Sequence, residues 1–227
     1  MTIIMKCLWR LLTARRPQWL STNPPPGHKA DSQANFEVER KFRLNEADLD
    51  AVRGRLATMG FAPSKLIQMS DQFLPVKIKG EMLRIRDESV NGHSETLLTI
   101  KEWVLIKGGQ GGKERSEEEG TLGPFARAFL LHFGRLLSGH PLHGFSKLRQ
   151  EHVSPSYPGV VITLDDVDGL GRYSGRYAEI EVLVPRDGDV EAARAKIAQL
   201  AKSLFDEERA PVEYSYQQML EKSLTEA

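Results

Sequence analysis

The stretch Glu37-Val38-Glu39-Arg40-Lys41 combines residue types and spacing that could do phosphate chemistry. It lies within Phe36 to Leu44, a segment that alternates with period two. As a strand, this segment puts Glu37, Glu39, Lys41 and Arg43 on one face. Phe36, Val38, Phe42 and Leu44 fall on the other, with Arg40 the polar exception. Two carboxylates separated by two strand residues stand about 7 Å apart. They could share a divalent cation with a phosphate, and the lysine further along the face could hold that phosphate. A solvated strand face would carry the same residues, so this segment alone does not decide.

The pattern recurs along the chain. Charged strand positions include Arg84 and Arg86, then Lys101, then Arg115, Glu117 and Glu119. Lys147, Arg149, Asp165, Glu179 and Glu181 follow. The opposite strand face collects Leu83, Ile85, Leu98, Ile100, Ile162, Leu164, Ile180 and Val182. A sheet curled with its charged face inward and its apolar face outward, under amphipathic helices, accounts for both sets. A small barrel ordinarily does the reverse and fills its lumen with apolar side chains. Like charges two residues apart repel, and gathering them in one lumen is costly without counter-charges. A cation on the acidic side and a polyanion on the basic side would remove that cost. The ligand implied is a metal-bound polyphosphate. An open antiparallel sheet with one solvated charged face is the alternative.

The elements that must position these residues are legible from caps and periodicity. Asn45 is expected to cap a helix ending near Met59 and Gly60. Residues 65–78 read as a strand, followed by Met82 to Arg86, a turn at Val90-Asn91-Gly92, and a strand from Thr96 to Trp103. Residues 107–112 form a Gly-rich loop without P-loop spacing. A strand at Glu114 to Glu119 and a helix from Phe125 to Leu137 come next. Phe145 to Val153 and Val160 to Asp166 read as a hairpin, with Arg176 to Val184 pairing after it. Helices are expected at Val190 to Leu204 and Tyr214 to Ser223.

Composition narrows the function classes. The 227 residues carry 31 basic and 31 acidic side chains, which argues against nucleic-acid binding by bulk attraction. The single Cys7 allows no intramolecular disulfide, and the six histidines show no zinc-site spacing. No apolar run approaches the ~18 residues of a membrane span. Residues 1–32 form a basic extension holding Lys6, Arg10, Arg15, Arg16 and Lys29, with no acid before Asp31. It reads either as a disordered tail or as an organellar transit peptide containing a short amphipathic helix. The expected location is cytoplasmic in the first case and mitochondrial in the second. Residues 33–227 are expected to form a single domain, and the protein to be a monomer.

The ordered set of charged strands resembles the CYTH superfamily, the triphosphate tunnel metalloenzymes. Glu37-Val38-Glu39-Arg40-Lys41 is similar to its ExExK signature, and Leu83-Arg84-Ile85-Arg86 to its paired-arginine strand. Thr99-Ile100-Lys101 resembles its lysine strand. Arg115-Ser116-Glu117-Glu118-Glu119 resembles its basic-x-acid-x-acid strand, and Lys147-Leu148-Arg149 its K-x-R strand. Leu164-Asp165, Gly169-Leu170-Gly171 and Glu179-Ile180-Glu181 resemble the closing block. The nearest subgroup is thiamine-triphosphatase-like. Three departures stand out, the first being that Tyr214 precedes Ser215-Tyr216 where family members often carry a basic residue. Asp71-Gln72-Phe73-Leu74-Pro75 replaces a D-x-Y-Y/F-D pattern, and Met82 stands where animal thiamine triphosphatases carry tryptophan.

The resemblance implies an α+β fold, a closed antiparallel eight-stranded β-tunnel with a charged lumen, covered by amphipathic helices. It implies Mg²⁺-dependent hydrolysis of a small-molecule triphosphate, with Mn²⁺ an alternative metal. Thiamine triphosphate is the first expected substrate and inorganic tripolyphosphate the second. Adenylyl cyclase activity and non-catalytic polyphosphate binding are further alternatives. Lys41, Arg84, Arg86, Lys101, Arg115 and Arg149 would bind phosphate oxygens. Glu37, Glu39, Asp165, Glu179 and Glu181 would hold the metal, and Glu117 and Glu119 would hold metal or orient a basic neighbour. Lys101 or Lys147 would protonate the leaving group, and Glu39 would serve the metal-dependent step. No nucleic acid or membrane partner is implied.

Overall fold

The computed structural model describes residues 13–14, 36–75, 81–105, 113–185, 188–205 and 208–226. For 13–14, 36, 81–82, 101–105 and 113–118 it describes the backbone alone. Among the described residues, eight long strands and four α-helices follow one another. They are β1 Phe36–Leu44, α1 Glu46–Thr58, β2 Ala62–Phe73, β3 Glu81–Val90, β4 His93–Leu105 and β5 Lys113–Leu122. Then come α2 Pro124–Ser138, β6 Gly144–Val153, β7 Val160–Asp168, β8 Gly175–Val184, α3 Val190–Phe205 and α4 Tyr216–Thr225. A two-residue strand, Thr13–Ala14, adds to β5. Apart from that strand, the transit peptide and short helix expected of the N-terminal extension lie outside the described residues. The Gly-rich loop does too.

Local chemistry sets the element ends. The Asn45 side chain accepts from the Asp48 amide while the Asp48 carboxylate accepts from the Asn45 amide, a reciprocal cap on α1. Asn91 and Gly92 both have positive φ, at 52° and 81°. They join β3 to β4 through a two-residue turn whose twist suits a hairpin. β2 departs from the expected 65–78. It starts at Ala62, slips register between Pro63 and Lys65, and ends at Phe73. Pro75 has no N–H to donate to a ladder. Helix α4 starts at Tyr216 rather than Tyr214 because Ser215 caps it, paired reciprocally with Gln218.

All pairings are antiparallel, in the order β5-β4-β3-β2-β6-β7-β8-β1. The sheet curls until its two edge strands, β1 and β5, approach within 8 Å between Cα atoms. The outer face of β1, β7 and β8 packs under α1 and α3 through Val38, Phe42, Ile162, Leu164, Ile180, Val52, Leu56, Ile197 and Leu204. That of β3 and β4 packs under α2 through Leu83, Ile85, Leu98, Ile100, Leu130 and Leu131. The expected apolar-out arrangement therefore holds over most of the sheet.

The lumen itself is not uniformly charged. Directly paired residues share a face, so Ile67 opposite Arg149 and Met69 opposite Lys147 line the interior. At one end, inward-facing Phe145, Val167 and Tyr177 meet Tyr216, Met219 and Leu220 of α4. That apolar plug closes the tunnel at the β7–β8 turn. Val212 donates its amide to the Lys41 carbonyl (2.7 Å) and so steers the chain into α4 above β1.

Gly144 permits the close approach of β6 to β2. A Cβ built there would lie 2.1 Å from the Asp71 carbonyl oxygen. Gly144→Ala is expected to lower stability by about 1–3 kcal/mol through the strand shift it forces. Gly54→Ala on exposed α1 meets nothing within 4 Å. It should raise stability by about 0.4–1 kcal/mol. Chemical denaturation midpoints of the two variants test the pair, and a wild-type midpoint for Gly144→Ala would contradict the close approach.

Candidate active site

β1 and β8 bring three carboxylates together at the end of the tunnel away from the plug. Glu39 sits directly opposite Glu181, and Glu37 follows two residues along the same face. Each offers an oxygen within 4.8 Å of the others. Burial, then the negative charge of Glu37, pushes the Glu181 carboxyl well above the usual carboxylate range, with Arg149 pulling the other way. Three hard oxygen donors, mutually repelling and partly desolvated, fit a small divalent cation of the Mg²⁺ or Mn²⁺ kind.

Arg149 joins this group to the middle of the lumen. Its Nε and Nη2 donate to the two oxygens of Asp165 at 2.8 and 2.7 Å, and its Nη1 donates to Glu181 at 3.2 Å. It also donates to Glu179, which in turn pairs with Lys41. Lys147 donates to Asp165 at 3.4 Å. Asp165 and Glu179, expected at the metal, are thus placed among cations rather than in the carboxylate trio. Burial alone would raise both carboxyls. Arg149 and Lys147 hold Asp165 below its ordinary value, and Lys41 and Arg149 do the same for Glu179.

The two lysines respond in opposite directions. Burial lowers Lys41, but Glu179, Glu39 and Asp165 outweigh it and the pKa is raised. Burial, reinforced by Arg149 and Arg86, brings Lys147 down to about 8 against the pull of Asp165 and Glu179. Among the described residues, Lys147 is therefore the buried cation best suited to exchange a proton near neutral pH.

A second cluster lies across β2, β3, β4 and β5. Arg86 donates from Nε and Nη2 to the two oxygens of Asp71, at 2.7 and 2.9 Å. Arg84 donates to the same carboxylate (3.5 Å), to Thr99 (3.1 Å) and to Glu119 (3.5 Å). Glu119 thus accepts from a basic neighbour. Asp71 is buried. Despite that burial, Arg86 and Arg84 keep its carboxyl far below the usual range. Lys101 is paired with Glu117, and Trp103 with Arg115, in the β4–β5 ladder. The side chains of Lys101, Arg115 and Glu117 lie outside the described residues.

Two site residues have no role assigned to them in the reading of the sequence. Asp71, the only acid in β2, holds both paired arginines. Tyr216 donates its hydroxyl to Asp165 at 3.0 Å and places its ring 3.7 Å from the Lys41 ammonium. Burial, with Glu179 and Asp165, raises the Tyr216 pKa well above that of a free phenol, so the hydroxyl remains a donor. An isolated acid in the register of Ile67 and Met69 was the signal for Asp71.

The fold and the residues can be set against known proteins. The chain is similar to the PH1819 protein of Pyrococcus horikoshii OT3, at 27% identity and a TM-score of 0.61, over 82% of this chain and 99% of that one. A proposed adenylate cyclase of Vibrio parahaemolyticus is 20% identical with a TM-score of 0.56, over 83% and 99%. A proposed adenylyl cyclase of Hippeastrum, HpAC1, with a dominant triphosphatase activity, is 15% identical with a TM-score of 0.57, over 83% and 95%. These last two likenesses concern the fold alone. No curated protein sequence matches the chain. The CYTH domain matches residues 35–216, a span that includes both charged clusters and Tyr216, and the chain belongs to the CYTH family.

Proposed function

We propose that this protein is a divalent-cation-dependent triphosphatase that cleaves thiamine triphosphate to thiamine diphosphate and phosphate. The observation that carries this reading is the single lumen in which a carboxylate trio adjoins an array of buried cations. The triphosphatase activity of the Hippeastrum relative is consistent with it. Inorganic tripolyphosphate is the second reading, favoured by Met82 at the position where an aromatic ring would stack on thiamine.

Glu37, Glu39 and Glu181 would hold Mg²⁺ or Mn²⁺. The bound cation would offset charge on the transferring phosphoryl group and help to polarise a water. Lys41, Arg84, Arg86 and Arg149 bind phosphate oxygens, with Lys101 and Arg115 supplied from β4 and β5. Arginine suits this by its planar fork of donors. Asp71, Asp165 and Glu179 hold those cations in place, and Glu117 and Glu119 steady the β5 side. Water forms a bond to the terminal phosphorus as the bridging P–O bond breaks. Glu39 would take the proton from the water, and Lys147 would give one to the departing diphosphate. With the far end plugged by α4, the triphosphate would enter from the end bearing Glu37 and Glu39.

Three measurements test this reading. Purified protein should release phosphate from thiamine triphosphate faster than from tripolyphosphate or ATP with Mg²⁺, and from none of them in EDTA. Faster release from tripolyphosphate would promote the second reading, and cyclic AMP from ATP would replace both. Glu39→Ala should cost about 10–100-fold or more in metal affinity or turnover. Wild-type rates at limiting Mg²⁺ would remove Glu39 from the metal. Because Lys147 is charged below about 8 and neutral above it, kcat/KM should fall as pH rises through about 8. Lys147→Arg should move that fall to higher pH, and an unmoved profile would assign the limb to another group.

A further inference from the structure

Thr99 on β4 and Thr163 on β7 are both fully buried on the inner face of the sheet. Thr99 is satisfied on two sides. Its hydroxyl donates to Glu119 and accepts from Arg84, each at 3.1 Å. The Thr163 hydroxyl has no hydrogen-bond partner among the described residues. Register fixes its surroundings. Thr163 stands directly opposite Glu179 of β8 and Glu151 of β6, on the face that carries Asp165 two residues further along β7. Glu181 and Arg149 are its diagonal neighbours on the same two strands.

Nothing in the strand itself calls for a hydroxyl at this position. The inward residues of β7 run Val161, Thr163, Asp165 and Val167. Valine has nearly the shape of threonine, suits a strand as well and leaves no polar atom to satisfy. A buried hydroxyl without a partner is destabilising. The carboxylates around Thr163 do not relieve it. Asp165, Glu179 and Glu181 are turned to the Arg149 guanidinium instead. An anion drawn onto that guanidinium would bring fresh acceptor oxygens to the side of the lumen where the hydroxyl lacks one.

We propose that Thr163 is a further substrate-binding residue, its hydroxyl donating to an oxygen of the phosphate that Arg149 holds. The assignment rests on the triphosphatase reading of the tunnel and adds an uncharged donor to its binding set. Glu181 ties the neighbourhood of Thr163 to the carboxylate trio, and Glu179 ties it to Lys41. The phosphate held there is therefore the one that adjoins the cation. The hydroxyl is unsatisfied in the free protein and satisfied in the complex, so its whole contribution falls on binding.

Thr163→Val removes the hydroxyl and keeps the shape, whereas Thr163→Ser keeps the hydroxyl. The probe is diimidotriphosphate, whose N–H bridges resist cleavage, titrated by calorimetry into the full-length chain with Mg²⁺. Thr163→Val should weaken its binding about 10–100-fold, the loss of one hydrogen bond to a charged group. Thr163→Ser should bind close to wild type. Without ligand, the denaturation midpoint of Thr163→Val should equal or exceed that of the wild type, because a methyl replaces an unsatisfied hydroxyl. Equal binding by Thr163→Val and the wild type overturns the assignment and leaves the triphosphatase reading standing. Binding that falls together with the midpoint, or that serine does not restore, makes Thr163 a structural residue and overturns it too. Failure of the wild type itself to bind removes the triphosphatase reading, and the assignment with it.

Discussion

A charge taken out of water must meet an opposite charge or a ligand, and this requirement organises the whole molecule. Asp71, Asp165 and Glu179 are buried, and each is held by lysine or arginine side chains from neighbouring strands. Those partners meet only because the sheet curls with its charged face inward. The apolar faces then point outward, and the protein cannot bury them against one another. Separate clusters under separate helices replace a single central core, with α1 and α3 on one flank and α2 on another. The helices are thus obligatory covers, and the tunnel exists because its outer surface is their core.

The same constraint explains the shape of the lumen. Its charged part ends at an apolar plug made by inward residues of β6, β7 and β8 with α4. Tyr216 stands at that boundary, its ring against Lys41 and its hydroxyl on Asp165. Its ring belongs to the plug, while its hydroxyl and π-face serve the ion pairs. The plug closes one end, and the carboxylate trio lies toward the other.

Much of this was legible in the sequence because strand alternation maps directly onto faces. Glu37, Glu39 and Lys41 fall on one side of β1, and their apolar neighbours fall under α1 and α3. What alternation does not carry is register between strands. Asp165 and Glu179 read as further metal ligands, yet pairing sets Asp165 opposite Arg149 and Glu179 opposite Lys41. The inward side of β2 was obscured for a related reason. Ile67 and Met69 look like core residues of an outer face, and only their pairing with Arg149 and Lys147 turns them inward. Asp71 continues that inward series, and its hold on two arginines depends on contacts from β3 rather than on its own neighbours in sequence.

Arg149 is where the acidic and basic parts of the site become one system. Its guanidinium contacts Asp165, Glu179 and Glu181 together. Glu181 also belongs to the trio suited to a cation. A cation drawn onto Glu37, Glu39 and Glu181 weakens the hold of Glu181 on Arg149 and leaves that guanidinium more positive toward the lumen. A phosphate drawn onto Arg149 releases Glu181 toward the cation by the same exchange. Coupling of this sort is reciprocal by thermodynamic necessity, so each partner favours the other's binding. A polyanion alone would face the uncompensated carboxylates at the mouth, and a cation alone would leave the inner arginines tied to their acids. The ligand that satisfies every ion pair at once is the two together, a cation chelated by the phosphates it accompanies.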